Sequence, residues 1–361
     1  MSPYRLCRNT QLVEPSKIFV RAPNWVGDMV MATPAFESIR RGYPRAEIVC
    51  GLRPWLRSLL DGSGFFDRFI ETPRAGGLGG LCKQVKELRR EDFDLAIILP
   101  NSFETGLVPF LARIPVRVGY RQGRPLLMNV GLRAQRLRRL FGRRGPRRVP
   151  EPMPLYYARL LKLLELPELR DRGTLTVTDE ERSFIDVWAR DRGIGPDDKL
   201  LLLNAGASYG ASKLWEEDRF AAVARHFADA HGMVPVFLAG PNEVDMVDRI
   251  ATAAGAIAAI NPVLPVHTLK ALVERAQLMI TTDAGPRHVA VAMGVPVVCL
   301  MGPNDPRYTN YGLDRQIVIQ KAELECVPCQ KKQCPLGHRQ CMTTIMVDEV
   351  VVAGEQLLDQ V

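Results

Sequence analysis

The residues LMITT (278–282), DAGPRHVAVAM (283–293) and VPVVCLM (295–301) decide the fold. A short apolar run, a Gly-Pro helix start with helical spacing behind it, and a second apolar run make a strand–helix–strand unit. Both runs are nearly continuous rather than alternating, the pattern of parallel strands covered on both faces. Working back along the chain, the same alternation predicts strands at 199–204 and 234–239 and helices at 217–230, 243–254 and 269–276. Nearer the N-terminus a strand at 18–22 runs into the turn 23–28 and a helix to residue 41, followed by strands at 47–50 and 95–99. Short apolar strands separated by helices predict an α/β protein of two doubly wound domains in tandem, with ligands at the carboxyl ends of the strands. Pro167 and Gly173 interrupt the helical pattern, so the boundary is predicted there: one domain over 1–170, a second over 171–346, and a helix in 347–361 that would return to the first.

Composition agrees with this reading and excludes others. The chain has 361 residues, 47% hydrophobic and 24% charged, which is ordinary for a globular protein and rules out a disordered or fibrous one. Its longest near-continuous apolar run, 289–301, is far short of the ~20 residues that a spanning helix needs. The first fourteen residues are polar and lack the apolar core of a secretion signal, so a cytoplasmic location is expected.

The net charge of +8 has one source. No acid occurs between Glu104 and Glu151, while twelve arginines do: Arg113, Arg117, Arg121, Arg124, Arg133, Arg136, Arg138, Arg139, Arg143, Arg144, Arg147 and Arg148. Such a segment suits an anionic membrane face, a phosphorylated ligand or nucleic acid, or is a solvated loop. The chain has no nucleic-acid recognition motif and no aromatic-rich basic face, so nucleic acid is not expected as a partner.

Four strand-to-helix turns carry candidate chemistry. Asn24, Trp25 and Asp28 follow the first strand, and Asp28 is either a general base or a first-turn acid that favours the helix dipole. The small-residue turn 204–215 contains Gly206, Ser208 and Lys213; its backbone can approach a phosphate and Lys213 can add a point charge, or it is a plain surface turn. It is not a Walker A loop, because the glycine spacing differs and Leu214 stands where Ser or Thr would hold magnesium. The third turn holds Asp283, Ala284, Gly285 and His288. There a helix N-terminus can bind an anion, Asp283 can accept bonds from sugar hydroxyls, and His288 is a phosphate donor or a satisfied core histidine. The fourth, after the strand at 95–99, presents Asn101 and Ser102, or is a capping turn. The Gly-Pro turns at 240–243 and 302–305 are expected on the same rim.

Cys326, Cys329, Cys334 and Cys341 fall within sixteen residues in the spacing C-x2-C-x4-C-x6-C. In a cytosolic protein this clustering points to metal more than to disulfides. A structural zinc, an iron–sulfur cluster and reduced thiols all remain open on the spacing alone.

Taken together, APNWVGDMVM (22–31), LPNSF (99–103), residues 205–215 ending in Lys213-Leu214-Trp215, and Thr282-Asp283-Ala284-Gly285 with His288 resemble the ADP-heptose:lipopolysaccharide heptosyltransferases of glycosyltransferase family 9, most closely the heptosyltransferase II branch. The resemblance implies the GT-B architecture, two Rossmann-like domains facing across a cleft. The first would take the acceptor and the second the nucleotide sugar. It implies an inverting enzyme that moves heptose from ADP-heptose to a lipid A-linked inner-core saccharide, working peripherally at the inner leaflet of the cytoplasmic membrane. Asp28 would be the base and Lys213 would neutralise the leaving diphosphate. Asp283, Ala284, Gly285, His288, Ser208 and Gly206 would hold the donor. Asn24, Trp25, Asn101, Ser102, Arg121 and Arg124 would meet the acceptor. A lysine and a helix N-terminus can stabilise a diphosphate without metal, so no catalytic cofactor is expected, with structural zinc possible at the four cysteines. Ala284 stands where the family usually has Ser or Thr, and Pro286 lacks an amide donor.

Overall fold

The computed structural model describes residues 14–74, 76–133, 149–170, 172–206 and 210–360. Ser208 and the arginines Arg136, Arg138, Arg139, Arg143, Arg144, Arg147 and Arg148 lie outside them. The chain divides into two units, Met1–Asp171 and Arg172–Val361.

Among the described residues, the first unit is built on five parallel strands, β1 (Lys17–Arg21), β2 (Glu47–Leu52), β3 (Arg68–Glu71), β4 (Leu95–Ile98) and β5 (Val116–Gly119), in the order β3-β2-β1-β4-β5. The second has six, β6 (Leu200–Asn204), β7 (Val234–Leu238), β8 (Ile257–Ala259), β9 (Ala276–Thr282), β10 (Val297–Leu300) and β11 (Gln316–Ile319), in the order β11-β10-β9-β6-β7-β8. Both are the doubly wound α/β arrangement, in which the strand order reverses at one point and ligands bind beside it. That point lies between β1 and β4 in the first sheet and between β6 and β9 in the second.

The strands anticipated from their apolar runs are the interior ones. β4, β6 and β10 are buried at every position, and β1, β2, β7 and β9 at all but one. The four strands that the sequence pattern missed, β3, β5, β8 and β11, are the four sheet edges, and each has at most two buried residues. An edge strand buries too little to carry an apolar run.

Two expectations are corrected. The helix expected to run from the first turn to residue 41 is two helices, Val26–Met31 and Thr33–Gly42, because Pro34 lacks the amide that would continue the first and fits the opening turn of the next. The C-terminal helix Val347–Leu358 does not return to the first unit. Its Val350, Ala353 and Leu357 are buried in the second unit's core, and Gly354 lies so close to Phe227 that a Cβ there would sit 2.4 Å from the ring.

Candidate active site

In the second unit, the turns after β6 and β9 flank the reversal point and are stitched to each other. Asn204, the last residue of β6, donates to Thr281 Oγ1 at 3.1 Å, and Thr282 Oγ1 donates to the Gly206 carbonyl at 2.7 Å. A Cβ at Gly206 would fall 2.1 Å from the Glu243 carboxylate, so a larger residue there would displace the Glu243 side chain. Glu243 lies in the turn after β7, where its Oε2 accepts the Gly240 amide at 2.9 Å.

Lys213 and Asp283, about seventy residues apart, meet inside this unit. The Lys213 ammonium lies 3.1 Å from Asp283 Oδ2 and also donates to the Asp283 carbonyl. Arg287, one helical turn beyond Asp283 and fully buried, donates to Asp283 Oδ1 at 2.8 Å and to Gln316, Thr309 and Asn310. Asn304 donates to Asp283 Oδ2 at 2.5 Å. Burial by itself would raise the Asp283 pKa; the Lys213 and Arg287 cations overcome it and hold the carboxyl well below the usual carboxylate range. The carboxylate therefore stays ionised, with both oxygens engaged, and one acid between two cations leaves the group with a net positive charge.

Gly285 opens the helix Gly285–Ala292 beside this cluster. Its N-cap is Ala284, in extended conformation, and no side chain caps the first turn, so the half-buried amides there can serve an anion. His288 lies in the same turn, with its ring parallel to Tyr311 at 5.8 Å. Burial, then the Arg287 charge, push its pKa down to about 3, so the imidazole is neutral at physiological pH. Its Nδ1 and the Tyr311 hydroxyl are buried without a hydrogen-bond partner among the described residues. His288 is therefore neither a cation nor a satisfied core residue.

The cysteine segment buttresses the same turns. The Lys331 carbonyl accepts from Ser212 Oγ at 2.6 Å and the Lys332 carbonyl from the Ser212 amide at 3.2 Å, one residue before Lys213. Gly210 is required there, since its φ is +153° and a Cβ would meet the Lys332 carbonyl at 2.4 Å. The Gln330 amide donates to the Pro303 carbonyl, beside Asn304. Cys341 is buried, and Cys326, Cys329 and Cys334 are partly so. Burial, then the neighbouring Cys329, Cys326 and Cys334, push the Cys341 thiol up to about 11. Burial also opposes ionisation of Cys334, but the amides of Arg339, Leu336, Gly337 and His338 outweigh it and lower its pKa.

In the first unit, Asp28 lies in the first turn of the helix Val26–Met31 and is partly buried, while Trp25 before it is 62% exposed. Arg21, the last residue of β1, sets the turn: Nη2 donates to Asn24 Oδ1 at 2.7 Å and Nη1 to the Gly51 carbonyl at 3.1 Å. Across the reversal point, exposed Asn101 donates to Tyr156 Oη at 2.8 Å, and Ser102 caps the helix Phe103–Leu111 by accepting the Thr105 amide. Arg121 is partly buried, and its Nη2 donates to the Pro125 carbonyl.

Arg124, expected to meet the acceptor, is corrected. It is 1% exposed and donates to the Tyr120, Ser102 and Pro100 carbonyls and to Thr105 Oγ1. Its guanidinium is an internal tie that fastens the loop after β5 to the turn after β4. Two further residues escaped the sequence reading. Arg287 stands at i+4 from Asp283, the spacing of a helical ion pair, and Arg21 is a charge ending an apolar strand.

The family description "Glycosyltransferase family 9 (heptosyltransferase)" matches residues 81–340. Lipopolysaccharide heptosyltransferase 2 of Escherichia coli K12 is 29% identical over 310 residues, 81% of this chain and 84% of that one. The structure of the E. coli ADP-heptose lps heptosyltransferase II superposes with a TM-score of 0.75 at 25% identity, over 95% of this chain and 99% of that one. A family 9 glycosyl transferase from Veillonella parvula shares the fold, with a TM-score of 0.84 at 24% identity over 98% and 99% of the two chains. The motifs at both reversal points and a family match across most of the chain lead to one assignment: the chain belongs to glycosyltransferase family 9, the heptosyltransferases.

Proposed function

We propose that this enzyme transfers heptose from ADP-heptose to the inner core of a lipid A-linked lipopolysaccharide precursor, with inversion at the anomeric carbon. The observation that carries the reading is the buried Lys213–Asp283–Arg287 group beside the uncapped start of the helix Gly285–Ala292. A fixed positive charge and unused amides favour the diphosphate that leaves, and they need no reorganisation as its charge develops. Asp283 acts by holding Lys213 in place. Glu243, Gly206 and the neutral His288 complete the donor side, with Ala284 beside His288. Asp28 takes the proton from the acceptor hydroxyl as it attacks the anomeric carbon and the glycosyl–phosphate bond breaks. Asn24, Trp25, Asn101, Ser102 and Arg121 serve the acceptor. This chemistry assigns no catalytic cofactor.

Ligand-induced stabilisation tests the reading. ADP at 100 times its Kd adds about 2.7 kcal/mol of apparent stability. ADP and ADP-heptose are expected to raise Tm, with UDP and GDP ineffective at equal concentration; equal shifts from all three nucleotides overturn the donor class. A second reading keeps the fold and the nucleotide but changes the sugar. It is supported by Asp283, the residue expected to read the sugar, having both oxygens engaged by protein partners. Turnover with ADP-glucose that exceeds turnover with ADP-heptose favours it.

The enzyme works from the cytoplasm, peripherally on the anionic inner face of the membrane, through the arginine run; no helix among the described residues is long and apolar enough to cross a membrane. Replacing Arg138, Arg139, Arg143 and Arg144 with Gln should reduce co-sedimentation with anionic liposomes, and unchanged binding sinks the idea. Cys326, Cys329, Cys334 and Cys341 would hold a structural metal, zinc by preference. The amides around Cys334, which lower its pKa, fit a bound thiolate there. Such a metal would stiffen the segment that supports Ser212. Freshly purified protein containing neither zinc nor iron overturns it.

A further inference from the structure

On the second unit, the helix Glu217–His231 packs against Val347–Leu358, and towards their C-terminal ends they bring together three side chains that the proposed reaction does not use. His226 Nε2 lies 2.9 Å from Glu355 Oε1, and His231 Nε2 lies 3.4 Å from the same oxygen. All three donor atoms fall within 4.8 Å of one another. Each side chain is about one-third exposed, so an ion has access from solvent.

We propose that His226, His231 and Glu355 form a transition-metal site of the zinc class, which clasps the C-terminal helix to the body of the second unit. Ligands ~2.0–2.1 Å from a tetrahedral zinc are separated from one another by roughly 3.3 Å. The observed 2.9 and 3.4 Å bracket that value for the two His–Glu pairs, and the two imidazole nitrogens lie within 4.8 Å of each other, so rotation of the rings and carboxylate admits the ion. Two imidazoles and one carboxylate suit zinc, cobalt or nickel, and are a poor set for magnesium or calcium, which take oxygen ligands. Three protein ligands leave a fourth position for water. The local field favours a cation as well. His231 is the last residue of its helix and Glu355 stands in the last turn of the other, so two negative helix ends flank the site. The helices it joins already pack through Phe227 against Gly354, and the metal would add a coordinate link at the rim of that contact.

The test is a cobalt titration of the full chain, since cobalt reports its ligands. Nitrogen and oxygen ligands give visible d–d bands, while binding at the cysteines adds thiolate charge transfer in the near ultraviolet. The wild-type protein is expected to take one equivalent with the first signature and to gain thermal stability with zinc. The double variant His226→Gln/His231→Gln should lose that equivalent and the associated zinc-induced Tm shift, while its circular dichroism and ADP binding stay unchanged. The single variant Glu355→Gln, a conservative change at a partly exposed position, should weaken the same equivalent at least tenfold. Equal stoichiometry and equal Tm response in wild type and variants overturn the proposal. So does wild-type saturation only at millimolar metal, which leaves the trio as an ordinary His–Glu contact between helices.

Discussion

Each sheet carries an acid just past its reversal point, Asp28 after β1 and Asp283 after β9, and the two are built in opposite ways. Asp283 is buried, its carboxylate held by Lys213, Arg287 and Asn304 and its pKa depressed. Asp28 is only partly buried, on a six-residue helix beside an exposed tryptophan. An acid whose oxygens are engaged by two cations is a poor proton acceptor, because protonation would leave those cations uncompensated in a dry site. Its use is to fix a cation. In the proposed reaction the partly exposed acid, Asp28, is the one that meets the acceptor hydroxyl. The proposed division of the two carboxylates between electrostatics and proton transfer follows their different burial.

The largest expected effect breaks the comparison at Asp28. Asp28→Asn keeps size and helix-start chemistry but cannot take a proton, so kcat should fall by roughly 10²–10⁴ with the KM for ADP-heptose little changed. Steady-state kinetics at saturating acceptor checks this. Turnover near wild type would reduce Asp28 to a first-turn acid.

At Asp283 the failure should be structural. Asp283→Ala leaves Lys213 and Arg287 buried without their anion, which costs on the order of 3–5 kcal/mol by the measured behaviour of broken buried pairs. Chemical denaturation should show a lower midpoint with an unchanged slope. A loss below about 1 kcal/mol would mean that the two cations do not depend on the acid.

The smallest effect concerns His288. Its folded-state pKa, about 3, lies below the ordinary 6.5, so the unfolded chain binds the proton more readily. The stability contributed by the neutral ring is complete above about pH 6.5 and declines as pH falls toward 3. His288→Phe should flatten Tm against pH in that window and leave the region above pH 7 parallel to wild type. Identical slopes in both proteins would show that the folded ring takes up its proton at the same pH as in the unfolded chain.

How far the sequence could be read depended on burial. Val20, Ile97, Leu202 and Val298 lie in strands covered on both faces, and their apolar runs announced them. The edge strand Arg68–Glu71 has one buried residue, Ile70, and reads as polar chain. Arg124 looked like one more member of a basic run, because composition cannot distinguish a solvated guanidinium from one surrounded by the oxygens of Tyr120, Ser102, Pro100 and Thr105. Asp283 and Lys213 were both picked out, but as separate contacts to a ligand; their pairing with each other was not legible across seventy residues.

The sequence by itself determined the α/β class, the central strands and the turns that carry the chemistry, because apolar runs and Gly-Pro punctuation act over a few residues and leave a local trace. Only the tertiary structure decided which charges are buried, which pair, and which side chains converge. Arg287 became a partner of Asp283, the C-terminal helix settled on its own sheet, and His226, His231 and Glu355 came to share one point. Those outcomes depend on desolvation and Coulomb energy between groups distant along the chain, and both quantities exist only once the chain has closed around them.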